Sequence, residues 1–320
     1  MDNVELSVVV PVYNEIESLQ ELHRRVKAVM ESLTSSWELV LVDDGCSDGS
    51  TERMKEIAAE DPHVRPVIFA RNFGHQIAIT AGLDYARGDA VVIMDADLQD
   101  PPEVIADLVE KWREGYEVVY AVRAEREGES WFKLATASLF YRLINRITNV
   151  DIPLDTGDFR LLDRSAAEVL RSMGERHRFP RGMAAWIGFR QIGVPYKRAA
   201  RYAGETKYPL RKMIRLAMNA ITGFSDFPLK LASYLGASLT GLGALLLLVV
   251  LLSRAISGAW MSGTATLITA TVFIGGVQLL SVGILGEYIG RIYDEVKDRP
   301  LYIVREAPTG ADVNLHTKRS

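Results

Sequence analysis

The chain has a single cysteine, Cys46, so no disulfide can close within it, and a reducing environment is expected. Cys46 lies in a run of Gly, Ser and Asp with no histidine partner and no metal-ligand spacing around it. It reads as a small loop residue, not a nucleophile. No GxGxxG follows the first apolar run, and GxxxxGK[ST] does not occur, which disfavours a dinucleotide-dependent dehydrogenase and a P-loop nucleotidase. Basic charge is not in excess either. Lys and Arg number 37 against 41 Asp and Glu, a formal net charge of -4, which gives no case for nucleic acid binding. The first residues, MDNVELSVVVPVYNE, lack a basic n-region and pass directly into an apolar run, so they are expected to form a strand and not a signal peptide. Finally, charge is missing altogether from residues 231–252.

At 320 residues, 48% hydrophobic and 24% charged, the chain suggests two domains or one domain with an appendage. Its central stretch is 91–103, VVIMDADLQDPPE. Four apolar residues read as a buried strand, and Asp95 and Asp97 flank a small alanine, Ala96, at its carboxyl end. Open α/β sheets bind ligands at that edge. Two carboxylates side by side repel unless something positive lies between them. A hard divalent cation carried on a diphosphate answers that need, because Mg²⁺ takes one or two carboxylates plus substrate phosphates. Pro101 and Pro102 stop the strand and can open a helix from Glu103.

The rest of the first half repeats one pattern. Strands are expected at 6–10, 38–42 and 64–70, with helices at 17–33, 51–60 and 76–86 between them. This βαβαβαβ order predicts an α/β fold with a doubly wound, mostly parallel sheet and helices on both faces. Polar residues fall where strands end: Asn14 and Glu15, Asp43 and Asp44, Arg71 and Asn72, Asp95 and Asp97. Any one of these loops could be ordinary turn and cap chemistry. Four of them converging on one edge make a nucleotide-sized crevice.

In order, PVYNE, VDDGCSDGS, RNFGHQIAITAGLDYARGD, MDADLQDPPE and DTGDFRLLDR resemble the inverting glycosyltransferase family 2. Within it they resemble the polyprenyl-phosphate branch, which includes dolichyl-phosphate mannose synthase and bactoprenol glucosyltransferases. The likeness covers about residues 5–215, and the apolar C-terminal part is similar to the bactoprenol type. Cys46 departs from it where relatives often carry Ser. The resemblance implies a GT-A type catalytic domain. It implies that Pro11, Tyr13 and Glu15, with Asn14 and Ala96 beside them, line the nucleobase and ribose pocket. Asp43 or Asp44 would hydrogen-bond the base or ribose, and Arg71 would lie near the nucleotide. Asp95 and Asp97, with Gln99, would hold Mg²⁺ or Mn²⁺ on the diphosphate, where the metal offsets charge on the leaving group.

A further strand is expected at 118–122, ending in Arg123, with Arg126 and Lys133 adding positive charge, followed by a core-packing amphipathic helix at 131–147. In DTGDFR, Gly157 is expected to permit a tight turn that points Asp158 at the reacting sugar carbon. General base is the first role to consider for Asp158. A phosphate oxygen with a second pKa near 6 is already mostly ionised, however. Orienting the acceptor, or stabilising positive charge on the sugar, is the alternative. Processive relatives carry QxxRW near RFPRGMAAWIG, and its absence here argues for a single sugar addition. A last strand is expected at 194–196.

Arg198, Arg201, Lys207, Arg211, Lys212 and Arg215 then cluster just before the apolar segments, as in cationic patches that meet anionic headgroups. Arg201, Lys207 and Arg211, with Arg123, are the candidates to clamp an acceptor phosphate, and 210–227 has the stripe of an interfacial helix. Residues 231–252 and 264–285 are each long enough to cross a bilayer. The flanking Lys and Arg put both termini on the cytoplasmic side. Glycines at 236, 241, 243, 275, 276 and 283 suit close helix packing and give the expectation of a homo-oligomer. The expected organisation is a cytoplasmic catalytic domain (1–208), an interfacial region (209–229), a transmembrane hairpin (230–290) and a cytoplasmic tail (291–320). The expected reaction moves a sugar from a nucleotide sugar to polyprenyl phosphate at the cytoplasmic face of the cell membrane. UDP-glucose is the first choice, with GDP-mannose, UDP-N-acetylglucosamine and an aminoarabinose donor open. A lipid-linked sugar flippase component and a non-catalytic scaffold are the rivals from other classes.

Overall fold

A computed structural model describes residues 4–123, 156–176, 178–199, 227–257 and 264–308. Arg126, Lys133, the helix expected at 131–147, Asp155, Arg201, Lys207, Arg211 and the interfacial stripe up to residue 226 lie outside the described residues, as does the tail beyond residue 308.

The chain divides into two units, one holding the residues before 147, 150–219 and those from Arg299 on, the other holding mainly Ala220–Asp298. The first is built on an eight-stranded sheet with the order β7-β5-β6-β4-β1-β2-β3-β8. Its first half follows the expected pattern: β1 (Leu6–Val12), α1 (Ile16–Leu33), β2 (Trp37–Asp43), α2 (Ser50–Glu60), β3 (Val64–Phe69), α3 (His75–Tyr85), β4 (Ala90–Ile93) and α4 (Val104–Arg113). β1 and β2 are buried along their whole length, as unbroken apolar strands in a parallel sheet should be. Successive side chains alternate between faces. Leu6, Val8, Val10 and Val12 join Leu22, Val26 and Met30 of α1 and Ile105 and Leu108 of α4 in one core cluster. Val9 faces the opposite way, towards α3. There a Cβ added to Gly82 would stand 2.0 Å from Val9 Cγ1, so only glycine lets α3 lie this close to β1.

The second half turns the sheet mixed. β5 (Val118–Arg123) is followed by β6 (Thr156–Asp163), which runs antiparallel to both β4 and β5, and β7 (Gln191–Tyr196) returns parallel to β5. Helices α5 (Arg164–Ser172) and α6 (Pro180–Trp186) lie between β6 and β7 in sequence. Because β6 is reversed, its beginning lies at the edge where β4, β5 and β7 end. The tight turn expected at Gly157 is not there: the residue is inside β6. Its missing side chain serves a close approach instead, since a Cβ would stand 3.2 Å from Arg123 Nη2. At the far edge, β8 (Val304–Glu306) pairs antiparallel with β3, a strand where only a tail was expected.

In the second unit, α7 (Phe227–Ser257) and α8 (Thr264–Val296) pack against each other. They contain the two apolar stretches read from the sequence. Leu242, Leu245 and Leu248 of α7 and Phe273, Leu279 and Leu280 of α8 are exposed. Among the described residues, one stretch, Phe273–Val296, meets the length and hydropathy expected of a membrane span.

Candidate active site

Strand register builds the centre of the site. The last β4–β6 pair is Ile93 with Arg160, and continuing that register two residues brings Asp95 level with Asp158. One histidine joins the two carboxylates. His75, the first residue of α3, places Nε2 3.3 Å from Asp158 Oδ2 and 3.4 Å from Asp95 Oδ1. Arg181, in the first turn of α6, grips Asp158 from the other side, with Nε 2.7 Å from Oδ1 and Nη2 3.2 Å from Oδ2. Gln76 Nε2 adds a contact of 3.4 Å.

Electrostatics follow from this geometry. Burial works against the charge on Asp158, but the Arg181 guanidinium and the His75 hydrogen bond outweigh it and hold the carboxyl well below its usual range. Burial would also lower His75, yet its hydrogen bond to Asp158 and the charges of Asp95 and Asp158 carry it up to about 9, against Arg181. Asp95 goes the other way. Burial pushes it to about 6 with help from Asp158, Asp100 and Asp97, while His75 opposes the rise.

These carboxylates suit a divalent cation. Asp95 Oδ1 is buried and makes no hydrogen bond, with His75 Nε2 3.4 Å away. Asp97 is buried beside it and accepts the Gln99 backbone N–H at 3.1 Å. Among the described residues no group of three or more His, Cys, Asp and Glu converges to hold a metal, so an ion here would need oxygens from a substrate to complete its shell.

A second polar cluster adjoins the first. Asp100 is buried, accepts the Tyr196 hydroxyl, and has Arg198 Nε 3.6 Å away. Arg123, at the end of β5, hydrogen-bonds Tyr196 and leaves its own Nε buried without a partner. Burial raises Asp100, while Tyr196, Arg198 and Arg123 oppose the rise.

The remaining expected residues ring the crevice as loop builders. Asp43 accepts the Cys46 N–H at 2.8 Å and the Thr51 hydroxyl at 2.5 Å. Asp44 accepts the N–H groups of Phe73 (2.7 Å) and Gly74 (3.0 Å) and the Asn72 amide. Both acids are buried and brace loops. Asn14 Oδ1 accepts the Ser47 N–H and the Glu15 N–H donates to Ser50 Oγ, which latches the β1 loop to the β2 loop. Pro11 and Ala96 are buried, Tyr13 is exposed, and Arg71 is exposed with its guanidinium 4.1 Å over the Phe73 ring. Burial pushes the Cys46 thiol up to about 12, which fits a loop residue and not a nucleophile.

Sequence reasoning missed His75, Arg181, Asp100 and Tyr196 as site residues. His75 carried the one available signal, a titratable group directly after a strand-end loop. The contacts themselves span 83 residues for His75 and 23 for Arg181, and no local spacing encodes them.

Comparison with known proteins matches these features to a family. The model of "Glycosyl transferase family 2" matches residues 7–171, and that of "GtrB C-terminal hairpin" matches residues 227–292. An uncharacterised glycosyltransferase of Bacillus subtilis, YkcC, is 52% identical, with 95% of this chain and 94% of that protein aligned. The prophage-derived bactoprenol glucosyl transferase of Shigella flexneri is 40% identical over 96% of this chain and 99% of its own. Among solved structures, glucosyl-3-phosphoglycerate synthase from Mycobacterium tuberculosis aligns with 68% of this chain and 76% of its own, at 21% identity and a TM-score of 0.45. The matches over the catalytic sheet and over nearly the full length of the curated relatives place this chain in glycosyl transferase family 2, as a glycosyltransferase.

Proposed function

We propose that this enzyme transfers glucose from UDP-glucose to a polyprenyl phosphate at the cytoplasmic face of a membrane, with inversion at the sugar carbon. The observation that carries the reading is the meeting of Asp95 and Asp158 through His75 at the carboxyl edge of the sheet. Relatives named bactoprenol glucosyl transferase, 40% identical over almost the whole chain, support the acceptor and the choice of glucose. Pro11, Tyr13, Asn14, Glu15, Asp43, Asp44, Arg71, Asp95 and Ala96 would line the nucleotide site. Asp95, Asp97 and Gln99 would hold Mg²⁺ or Mn²⁺, which supplies Lewis-acid stabilisation of the departing diphosphate.

Both oxygens of Asp158 are engaged by Arg181, His75 and Gln76. A carboxylate so committed is poorly placed to abstract a proton, and an ionised phosphate oxygen needs none removed. Asp158 therefore acts as a fixed negative charge beside the sugar carbon, where positive charge develops, and as an anchor for Arg181. Arg123 would draw the acceptor phosphate into the same crevice, with Arg201, Lys207 and Arg211 completing the clamp. Helices α7 and α8 would form a two-span anchor, with the interfacial region before them and both termini cytoplasmic, keeping the catalytic unit beside a lipid substrate. Close packing of their glycines would support a homo-oligomer.

The test is label transfer from UDP-glucose to polyprenyl phosphate by the purified protein in detergent. Labelled lipid that requires a divalent metal supports the proposal. Labelled lipid from GDP-mannose or UDP-N-acetylglucosamine alone would replace glucose while keeping the reaction.

A further inference from the structure

The chain after α8 comes back to the catalytic sheet. Residues 302–306 pair with the end of β3 and reach Ala70, the first residue of the loop between β3 and α3, residues 70–74. Ala70 N–H donates to Ile303 O at 2.9 Å, and Arg305 Nη2 donates to Ala70 O at 3.1 Å. The Tyr302 ring stacks on Phe69 with centroids 5.2 Å apart and planes inclined by 21°. Phe69 in turn meets Phe73 edge-on at 5.5 Å, and Arg71 lies over that same Phe73 ring. The Tyr302 hydroxyl donates to Asp84 Oδ2 at 3.0 Å, on the last turn of the helix whose first residue is His75.

The 70–74 loop is thus held from two directions. Asp44 holds it from inside through two backbone N–H groups and an amide. From outside, Tyr302 holds one flank, the end of β3, through Phe69, and it ties the far end of α3, the helix that follows the loop, through Asp84. Three residues of strand are too few to be worth much as a ladder. A short strand does cover the otherwise open edge of β3, and the stack of half-buried Tyr302 on buried Phe69 supplies the specific contact. The loop and helix so held carry Arg71 and His75, on the donor side of the crevice.

We infer that Tyr302 is a positioning residue for the nucleotide sugar, fixing the 70–74 loop and α3 from outside the site. Among the described residues, no hydrogen bond, ion pair or ring contact joins it to Asp95, Asp158 or Arg123. Its effect on binding should therefore fall on the donor side, with turnover affected through His75. The inference rests on the transferase reading above for the identity of the donor, but the loop geometry does not depend on which lipid accepts the sugar.

The experiment uses the full-length protein in detergent, with KM measured separately for UDP-glucose and polyprenyl phosphate, and Kd for UDP with Mg²⁺ by calorimetry. Tyr302→Ala is expected to raise both the UDP-glucose KM and the UDP Kd about tenfold, because a displaced loop loses preorganised contacts. The acceptor KM should stay within about twofold. Tyr302→Phe keeps the ring stack and loses only the bond to Asp84, so a donor-side rise of about threefold is expected. Lys55→Ala, which cuts the 2.8 Å pair to Glu306 at the distal end of β8, should match wild type. A folded Tyr302→Ala that shifts donor and acceptor KM equally, or neither, overturns the inference. If that variant does not fold, a wild-type UDP Kd for Tyr302→Phe overturns it. Should no sugar transfer occur even in wild type, the acceptor reading fails, and an unchanged UDP Kd in the variants would separately sink the positioning role.

Discussion

Arg181→Ala is the most informative single change. Asp158 is buried, and Arg181 makes its two shortest side-chain contacts, 2.7 and 3.2 Å. Deleting one partner of a buried pair leaves a charge uncompensated, at about 3–5 kcal/mol. Here His75 stays 3.3 Å away and keeps part of the compensation, so a loss of about 3 kcal/mol is expected. For a catalytic unit of this size that lowers Tm by about 6–12 °C. The fixed charge beside the sugar also loses its orientation, so kcat should fall about a hundredfold. Arg181→Lys keeps the charge without the fork and should fall between. Combining Arg181→Ala with Asp158→Asn removes both charges, so it should recover much of the lost Tm and none of the activity. Thermal unfolding in detergent and initial-rate transfer read both quantities. If Arg181→Ala keeps kcat within about twofold and Tm within about 1 °C, the bidentate grip on Asp158 has no functional weight.

Other outcomes separate structure from chemistry. Asp97→Ala should abolish metal-dependent transfer while leaving Tm nearly unchanged, which EDTA titration and unfolding curves check together. Glu38, buried, accepts from Ser7 (2.7 Å), Arg65 (2.6 Å) and the Arg87 backbone (2.6 Å), so Glu38→Ala should cost about 3 kcal/mol with KM unaffected in the folded fraction. Burial alone would raise Glu38, but those partners hold it below its ordinary value of 4.5. A depressed carboxyl stabilises fully above the unfolded pKa and loses that stability as pH falls through the folded one, so wild-type Tm should decline below about pH 4.5 and the Glu38→Gln variant should decline less. Gly157→Ala would crowd Arg123 Nη2 from 3.2 Å, so acceptor KM should rise with donor KM unchanged.

The first half of the fold was legible because its strands are short, unbroken apolar runs separated by helices of regular period. β1 through α4 follow from that alternation, and Asp95 and Asp97 announce the sheet edge that matters. β6 was not legible as a strand, because Gly157 and Asp158 in TGDFRLLD read as turn chemistry when the neighbours that bury them are unknown. β8 is three residues with no period of its own; it exists because β3 offers an open edge and Tyr302 finds Phe69. His75 and Arg181 were hidden for a related reason. A histidine opening one helix and an arginine opening another become a site only when antiparallel β6 carries Asp158 back to the end of β4.

The central claim is a reaction, and label transfer tests it most directly. Purified protein in detergent is given radiolabelled UDP-glucose, polyprenyl phosphate and Mg²⁺ or Mn²⁺, beside EDTA and Asp97→Ala controls. The account predicts labelled lipid with metal, none with EDTA and none from Asp97→Ala. Folded, nucleotide-binding protein that labels no lipid from any UDP- or GDP-sugar would contradict it.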